Sequence, residues 1–475
     1  MPQPHIAILG AGPAGVGAAY QLRRLDRARV TVLEQQAVPG GNAGSFELDG
    51  LRVDYGSHRL HPACDPAILA DIRRLLGSDL LDRPRHGRIR LRGRWIHFPL
   101  HPVDLLLRLD PAFALGTLRD VVLKPFRSGG TEGESSFAEE LRASLGPTIC
   151  DSFYFPYARK IWGRSPTELS AIQARRRVSA SSFSKLARKL LSQIPGLKPP
   201  GAGRFFYPRH GYGQISEAYA SAALAAGAQF RYGSRVSRVT PPLQPGGRWV
   251  LEAERGGAGE RLEADQLWST LPIPLLARLM EGHAPAEVHE AAAQLEYRAM
   301  VLIYLVLPQA QFSEYDAHYF PGADLRVTRV SEPKNYAARS TPLDRTVLCA
   351  ELPCSPDEPA WRLSDAALGT LVTEDLERAG IGLSASPVRV EVRRLRQAYP
   401  IYSRGYERWF GVLDAWVESL PRCLSYGRQG LFAHDNTHHA LAMAYAAADC
   451  VEGAEFRRDR WAEYRRVFDT HVVED

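Results

Sequence analysis

The sequence predicts an α/β fold in which a parallel-sheet domain, assembled from separated stretches of chain, is joined to a lobe of helices and β-sheet. Three observations predict it. An apolar run from His5 to Leu9 leads into a glycine-rich turn and then an alanine-rich stretch, the succession of strand, turn and helix. Strand-like runs with similar glycine punctuation recur in residues 205–275 and 424–451. Finally, 475 residues exceed what one core holds, so the chain divides into lobes with room to enclose a large ligand.

The turn is Gly10-Ala11-Gly12-Pro13-Ala14-Gly15. In such a turn Gly10 permits the reversal, Gly12 lets backbone amides approach a pyrophosphate, and Gly15 allows close helix packing, with the helix N-terminus facing the phosphates. A second strand over residues 30–33 ends at Glu34, where a carboxylate accepts ribose hydroxyls. A lone glycine turn is weak evidence, but here strand, helix and acid are in register. Gly40, Gly41 and Asn42 follow in a second glycine segment, Pro39-Gly40-Gly41-Asn42-Ala43-Gly44, and the pair of segments points to FAD rather than NAD. This makes the domain Rossmann-like and FAD-binding.

We expect that domain to comprise residues 1–61, 205–275 and 401–475. Its later pieces hold Gly211-Tyr212-Gly213 before a helix over 215–226, strands over 229–239 (with Val236 beside the cofactor) and 249–253, and Gly427-Arg428 leading to Asn436 and Thr437. Asn436 or Thr437 caps a last alanine-rich helix. Residues 62–204 are expected to form a mainly helical substrate domain and 276–400 a sheet-containing one. The basic stretch from Phe183 to Arg204, with Lys185, Arg188 and Lys189 ahead of a Pro/Gly loop, reads either as a lid closing over an anionic substrate or as a solvated surface helix.

Composition excludes several classes. An apolar fraction of 45% with 24% charged residues is that of an ordinary globular chain. No apolar run approaches the roughly 18 residues of a membrane span, and the N-terminus lacks the pattern of a signal peptide, so a cytoplasmic location is expected. The six cysteines are scattered without metal-ligand spacing, and no metal is expected. The net charge of +6 is dispersed, with no aromatic-interleaved basic motif, which argues against nucleic acid and suits an anionic small molecule.

The cofactor segments resemble those of the FAD-binding group that includes amine oxidases, protoporphyrinogen oxidases and UDP-galactopyranose mutases. Further patches resemble the mutases most. Gly56-Ser57-His58-Arg59-Leu60-His61 looks like a segment that lies beside the flavin there, Gly93-Arg94-Trp95-Ile96-His97-Phe98-Pro99 looks like a family strand, and Tyr157-Ala158-Arg159-Lys160-Ile161-Trp162 looks like a substrate-lobe segment. The resemblance implies that Arg177 and Arg326 grip a sugar-nucleotide diphosphate, that Tyr399 contacts it, that Trp162 packs under sugar or nucleotide, that His58 and His61 set the flavin edge, and that Arg428 donates toward flavin or substrate. Each of these also has a structural reading: a solvated face for the arginines, a core position for the aromatics and histidines. The run Ala433-His434-Asp435-Asn436-Thr437-His438-His439 departs from the mutases, which usually carry a tyrosine there.

The resemblance implies a redox-neutral pyranose/furanose mutase that uses reduced FAD, with NAD(P)H as a candidate reductant and a sugar nucleotide or other phosphorylated sugar as substrate. The alternative is an FAD-dependent oxidoreductase, an amine-oxidase- or protoporphyrinogen-oxidase-like dehydrogenase or desaturase. A non-catalytic flavoprotein is a third reading. Sugar, reductant and oligomeric state stay open.

Overall fold

The computed structural model describes residues 3–98, 108, 110–123, 135–177, 203–339 and 341–473. Its centre is a five-stranded sheet, parallel throughout, in the order Cys423–Ser425, Gln266–Ser269, His5–Leu9, Arg29–Glu34, Gln229–Tyr232. Both faces are covered, so the central strand reads as a continuous apolar run from Ile6 to Leu9. Along the first strand, Ile6 and Ile8 face the helices Pro13–Arg24, Gln214–Ala225 and Thr437–Asp449, while Ala7 and Leu9 face the opposite layer. That layer includes the antiparallel sheet of Ser234–Thr240, Trp249–Arg255 and Ala258–Ala264. The stretch expected as one strand over 229–239 is broken at Gly233, whose φ of +70° turns the chain out of the parallel sheet and into the antiparallel one. The first strand lies centrally, and the connections leave it in opposite directions, which creates the crevice at the strand ends where such sheets take ligands.

The second lobe is built on a seven-stranded mixed sheet in the order Arg389–Pro400, Tyr297–Leu307, Thr346–Cys354, Arg329–Ser331, Ala317–Tyr319, Gly87–Leu91, Arg94–Phe98. Tyr297–Leu307 is buried almost throughout because alternate side chains enter two different cores. The stretch 62–204, expected to be mainly helical, is shared among neighbours. Its helix Pro66–Leu76 packs on the parallel-sheet domain, its strands Gly87–Leu91 and Arg94–Phe98 extend the seven-stranded sheet, and Phe137–Leu145, Phe155–Trp162 and Ala171–Arg177 form a small helical core. Of the expected lid, residues 183–202 lie outside the described residues; Arg204 opens the strand Arg204–Pro208.

All six cysteines are buried and unbridged. Among the described residues, no helix is long and apolar enough to cross a membrane.

Candidate active site

The two glycine segments meet at the end of the first strand. Gly10 has φ +95°, and a Cβ there would lie 2.5 Å from Thr270 Oγ1. A Cβ on Gly15 would lie 1.9 Å from the Gly10 carbonyl oxygen, whereas one on Gly12 would meet nothing within 4 Å. So Gly10 and Gly15 are demanded by the fold, and Gly12 by whatever approaches the turn. The Gly40 N–H donates to the Ala11 carbonyl at 2.9 Å, and a Cβ on Gly41 would stand 3.3 Å from Gly12 Cα. Pro13 opens the helix at a position where no backbone donor is lost, and Ala14 packs under Gly427, whose Cβ would come within 2.7 Å of it. Three distant stretches thus converge on one helix N-terminus, a site suited to a dinucleotide's phosphates.

Glu34 is buried at the end of the second strand. Its Oε2 accepts the Ala11 N–H at 2.7 Å, its Oε1 accepts the Gln36 N–H at 2.8 Å, and burial pushes its pKa upward. Asn42 donates to the Gln397 carbonyl at 3.2 Å, tying the second glycine segment to the strand that carries Tyr399. Val236 lies where the register of Ser234–Thr240 slips against its neighbour. At the far end Asn436 caps Thr437–Asp449, its N–H donating to His439 Nδ1 at 3.2 Å, and the Thr437 side chain bonds the Tyr212 phenol. The open side of Gly12 and the converging amides fit FAD. Gly10 to Gly15, Gly40, Gly41 and Glu34 are the residues that would hold it.

Next to this cradle the chain turns at Gly56, φ +96°. The Ser57 N–H donates to Glu351 Oε1 at 2.8 Å, and His58 stacks on Tyr212 with ring centroids 5.2 Å apart, its Nε2 bonded to the Tyr55 carbonyl at 2.9 Å. Burial lowers the pKa of His58 against the pull of Asp54, so the ring is neutral near pH 7. His61 Nδ1 accepts the Ala63 N–H at 3.1 Å, in the turn ahead of Pro66–Leu76.

The densest chemistry surrounds Tyr399. The guanidinium carbons of Arg177 and Arg428 lie 5.2 and 5.3 Å from its ring centroid, and Trp162 lies 5.9 Å from Arg177. Arg177 Nη2 donates to His434 Nδ1 at 3.2 Å, and Arg428 Nη2 donates to the Ala398 carbonyl at 2.8 Å. Among the described residues neither arginine has a carboxylate partner, and Arg177 Nε, Arg428 Nε and Trp162 Nε1 are buried donors without acceptors. Burial, followed by the opposing pull of Tyr399 and then the charge of Arg177, leaves the pKa of Arg428 lowered overall. Half-buried cations with no carboxylate among the described residues are costly, and this arrangement suits an anion.

Arg326 corrects the expected diphosphate pair. Its guanidinium is engaged by Glu374 at 2.8 Å, Asp375 at 2.9 Å and the Leu371 carbonyl at 2.9 Å, all on helix Asp365–Arg378, and no contact joins it to Arg177, Tyr399 or Arg428. Three residues on, Arg329 is the inward cation: it pairs with buried Glu351 at 2.7 Å, stacks on Tyr319 at 5.7 Å, and lies near Tyr399. Of the two residues behind Arg177, His434 stands in the run that departs from the mutases, and Gln173 carried no local signal.

Asp435, His439 and His471 each bring a ligand atom within 4.8 Å of the others. The rings of His439 and His471 lie parallel, 4.1 Å apart at 14°, so their in-plane lone pairs do not converge; the cluster anchors the C-terminal segment, whose Val473 N–H donates to the Arg176 carbonyl at 2.8 Å.

Among solved structures, a reduced UDP-galactopyranose mutase superposes with a TM-score of 0.81 over 99% of this chain and 100% of that one, at 22% identity. A putative protoporphyrinogen oxidase from Exiguobacterium sp. 255-15 gives 0.72 over 94% and 98%, at 20% identity. In sequence, coproporphyrinogen III oxidase of Mycobacterium tuberculosis is 26% identical over 84% of this chain and 87% of its own length, and phytoene dehydrogenase of Streptomyces griseus is 27% identical over 50% and 49%. The flavin containing amine oxidoreductase family matches residues 13–445. With a glycine cradle that fits FAD and a family match over nearly its whole length, this chain belongs to the flavin containing amine oxidoreductases and is a flavin-dependent enzyme of the amine oxidase superfamily.

Proposed function

We propose that this enzyme is a pyranose/furanose mutase acting on a nucleotide-linked sugar. The observation that carries the reading is the pair of guanidinium groups, Arg177 and Arg428, that converge on Tyr399 with no carboxylate partner among the described residues. A diphosphate offers oxygens on several sides and matches the fork geometry of arginine. In this reading Arg177 and Arg428 grip the diphosphate and stabilise it as it departs, each worth about 2 to 4 kcal/mol in the transition state. Tyr399 sets the angle between the two cations, Trp162 offers its indole N–H to sugar or phosphate, and neutral His58 closes the edge of the site beside Gly56. Reduced FAD, when bound, supplies the covalent chemistry at the anomeric carbon. NAD(P)H as its reductant belongs to the same proposal.

A second reading, oxidation of a porphyrinogen, is favoured by the sequence relatives that bear the name coproporphyrinogen III oxidase. The two differ in mass balance. FAD-loaded protein is incubated with UDP-galactopyranose under reducing conditions and, separately, with coproporphyrinogen III in air. A product of unchanged mass and altered ring size from the sugar nucleotide supports the mutase; loss of hydrogens from coproporphyrinogen III, with the sugar nucleotide untouched, replaces it with the oxidase.

A further inference from the structure

We infer that His434 is the positioning residue for Arg177, a neutral acceptor that aims the guanidinium at the bound anion without cancelling its charge. The inference rests on the reading of Arg177 as an anion-binding group.

The protonation pattern follows from the partners. A guanidinium only donates, so His434 Nδ1, 3.2 Å from Arg177 Nη2, is the acceptor, and the ring proton sits on Nε2. Nε2 in turn faces Gln173 Oε1 at 3.1 Å, and that same oxygen accepts the Tyr402 N–H at 3.3 Å. The chain of bonds therefore has one consistent direction, from two donors into Gln173 Oε1 and from Arg177 into the imidazole. Gln173 and Arg177 lie one turn apart on helix Ala171–Arg177, so the ring bridges both ends of that turn.

The ring itself cannot swing. It is 3% exposed, meets Tyr402 edge-on at 4.7 Å, and has Trp162 at 6.4 Å and Tyr399 at 6.5 Å. Its charged neighbours come from several elements: Arg177 and Arg176 from the helix, Arg428 from the turn at Gly427, and Asp435 beside it in sequence, already engaged by His471. Burial, then the charges of Arg177, Arg428 and Arg176, hold the imidazole pKa well below its ordinary value; the Pro400 carbonyl pulls weakly the other way. An imidazolium would present a donor to a donor and add a cation beside three others. A carboxylate would fix Arg177 equally well but would neutralise the charge that an anion needs. A neutral imidazole is the side chain that orients and leaves the charge intact.

The test compares His434→Phe, His434→Gln and His434→Glu in FAD-loaded protein, with FAD content as the control for folding and UDP as the probe. His434→Phe removes the acceptor and is expected to weaken UDP binding about tenfold. His434→Gln restores an amide acceptor toward Arg177 and a donor toward Gln173, and is expected to stay within about threefold of wild type. His434→Glu keeps the hydrogen bond yet is expected to bind UDP at least as poorly as His434→Phe. A His434→Phe or His434→Glu protein that keeps its FAD and binds UDP as wild type does overturns the assignment. If wild-type protein binds neither UDP nor pyrophosphate, the anion reading fails separately, and the positioning claim is decided by ¹⁵N-histidine spectra: Arg177→Met should shift the His434 Nδ1 resonance while the Nε2–H tautomer persists, and an unchanged resonance overturns it.

Discussion

Gly41 faces Gly12 so closely that a Cβ on Gly41 would stand 3.3 Å from Gly12 Cα, yet a Cβ on Gly12 itself would meet nothing within 4 Å. Within the first glycine turn, Gly12 and Gly15 should fail in different ways. Gly12→Leu is expected to fold but to purify without FAD, because its side chain enters the path of the pyrophosphate. Gly15→Ala places a methyl 1.9 Å from the Gly10 oxygen and should destabilise the FAD-free protein by about 3 kcal/mol or more. Thermal unfolding of both variants as apoproteins, beside their flavin-to-protein absorbance ratios, separates the two effects, since cofactor linkage is then absent from the comparison.

The arginines divide in the same manner. Arg177→Ala and Arg428→Ala are expected to retain FAD and to lose about 2 to 4 kcal/mol of anion recognition, read as a rise in the dissociation constant for UDP. Arg326→Ala should bind UDP like wild type and instead lose about 1 to 2 kcal/mol of stability, because buried Asp375 gives up a charged donor. An Arg326→Ala protein of normal stability that no longer binds UDP would reverse this assignment.

His318 supplies a pH prediction. It is 2% exposed, receives the Arg88 Nε–H at 3.0 Å, and burial followed by the Arg88 charge lowers its pKa from 6.5 to about 3. A histidine depressed in the fold binds fewer protons than in the unfolded chain, so its contribution is present above pH 6.5 and is lost as the pH falls toward about 3. At pH 5 the loss is on the order of 2 kcal/mol. His318→Gln should therefore show a shallower fall in unfolding free energy between pH 7 and 5 than wild type; parallel curves for the two proteins would contradict the assignment.

What was legible in the sequence is what backbone geometry alone dictates. Gly10 needs its positive φ and Gly15 its missing Cβ whatever the rest of the chain does, so the turn, its strand and its helix could be read locally. Arg177, Tyr399, Arg428 and Trp162 were named by resemblance to known mutases, and they share one neighbourhood in the fold. Arg326 and Arg329 show the limit: three residues apart, they leave the same short segment for opposite environments, one to a surface helix and the other to buried Glu351. Nothing short of the sheet order distinguishes them. His434 and Gln173 were illegible for a different reason. Their roles come from a hydrogen-bond chain across 261 positions of sequence, and neither residue lies in a recurring spacing.

A redox-neutral reaction on an anionic sugar nucleotide leaves the flavin in the oxidation state it began in, and anaerobic mixing reads that state during turnover. The flavin spectrum is followed while FAD-loaded protein, oxidised or reduced beforehand, meets UDP-galactopyranose. Turnover is expected only after reduction, with a product of unchanged mass and a flavin that stays reduced over many cycles. Bleaching of the oxidised flavin by the substrate itself, in step with loss of two hydrogens from the product, would contradict it.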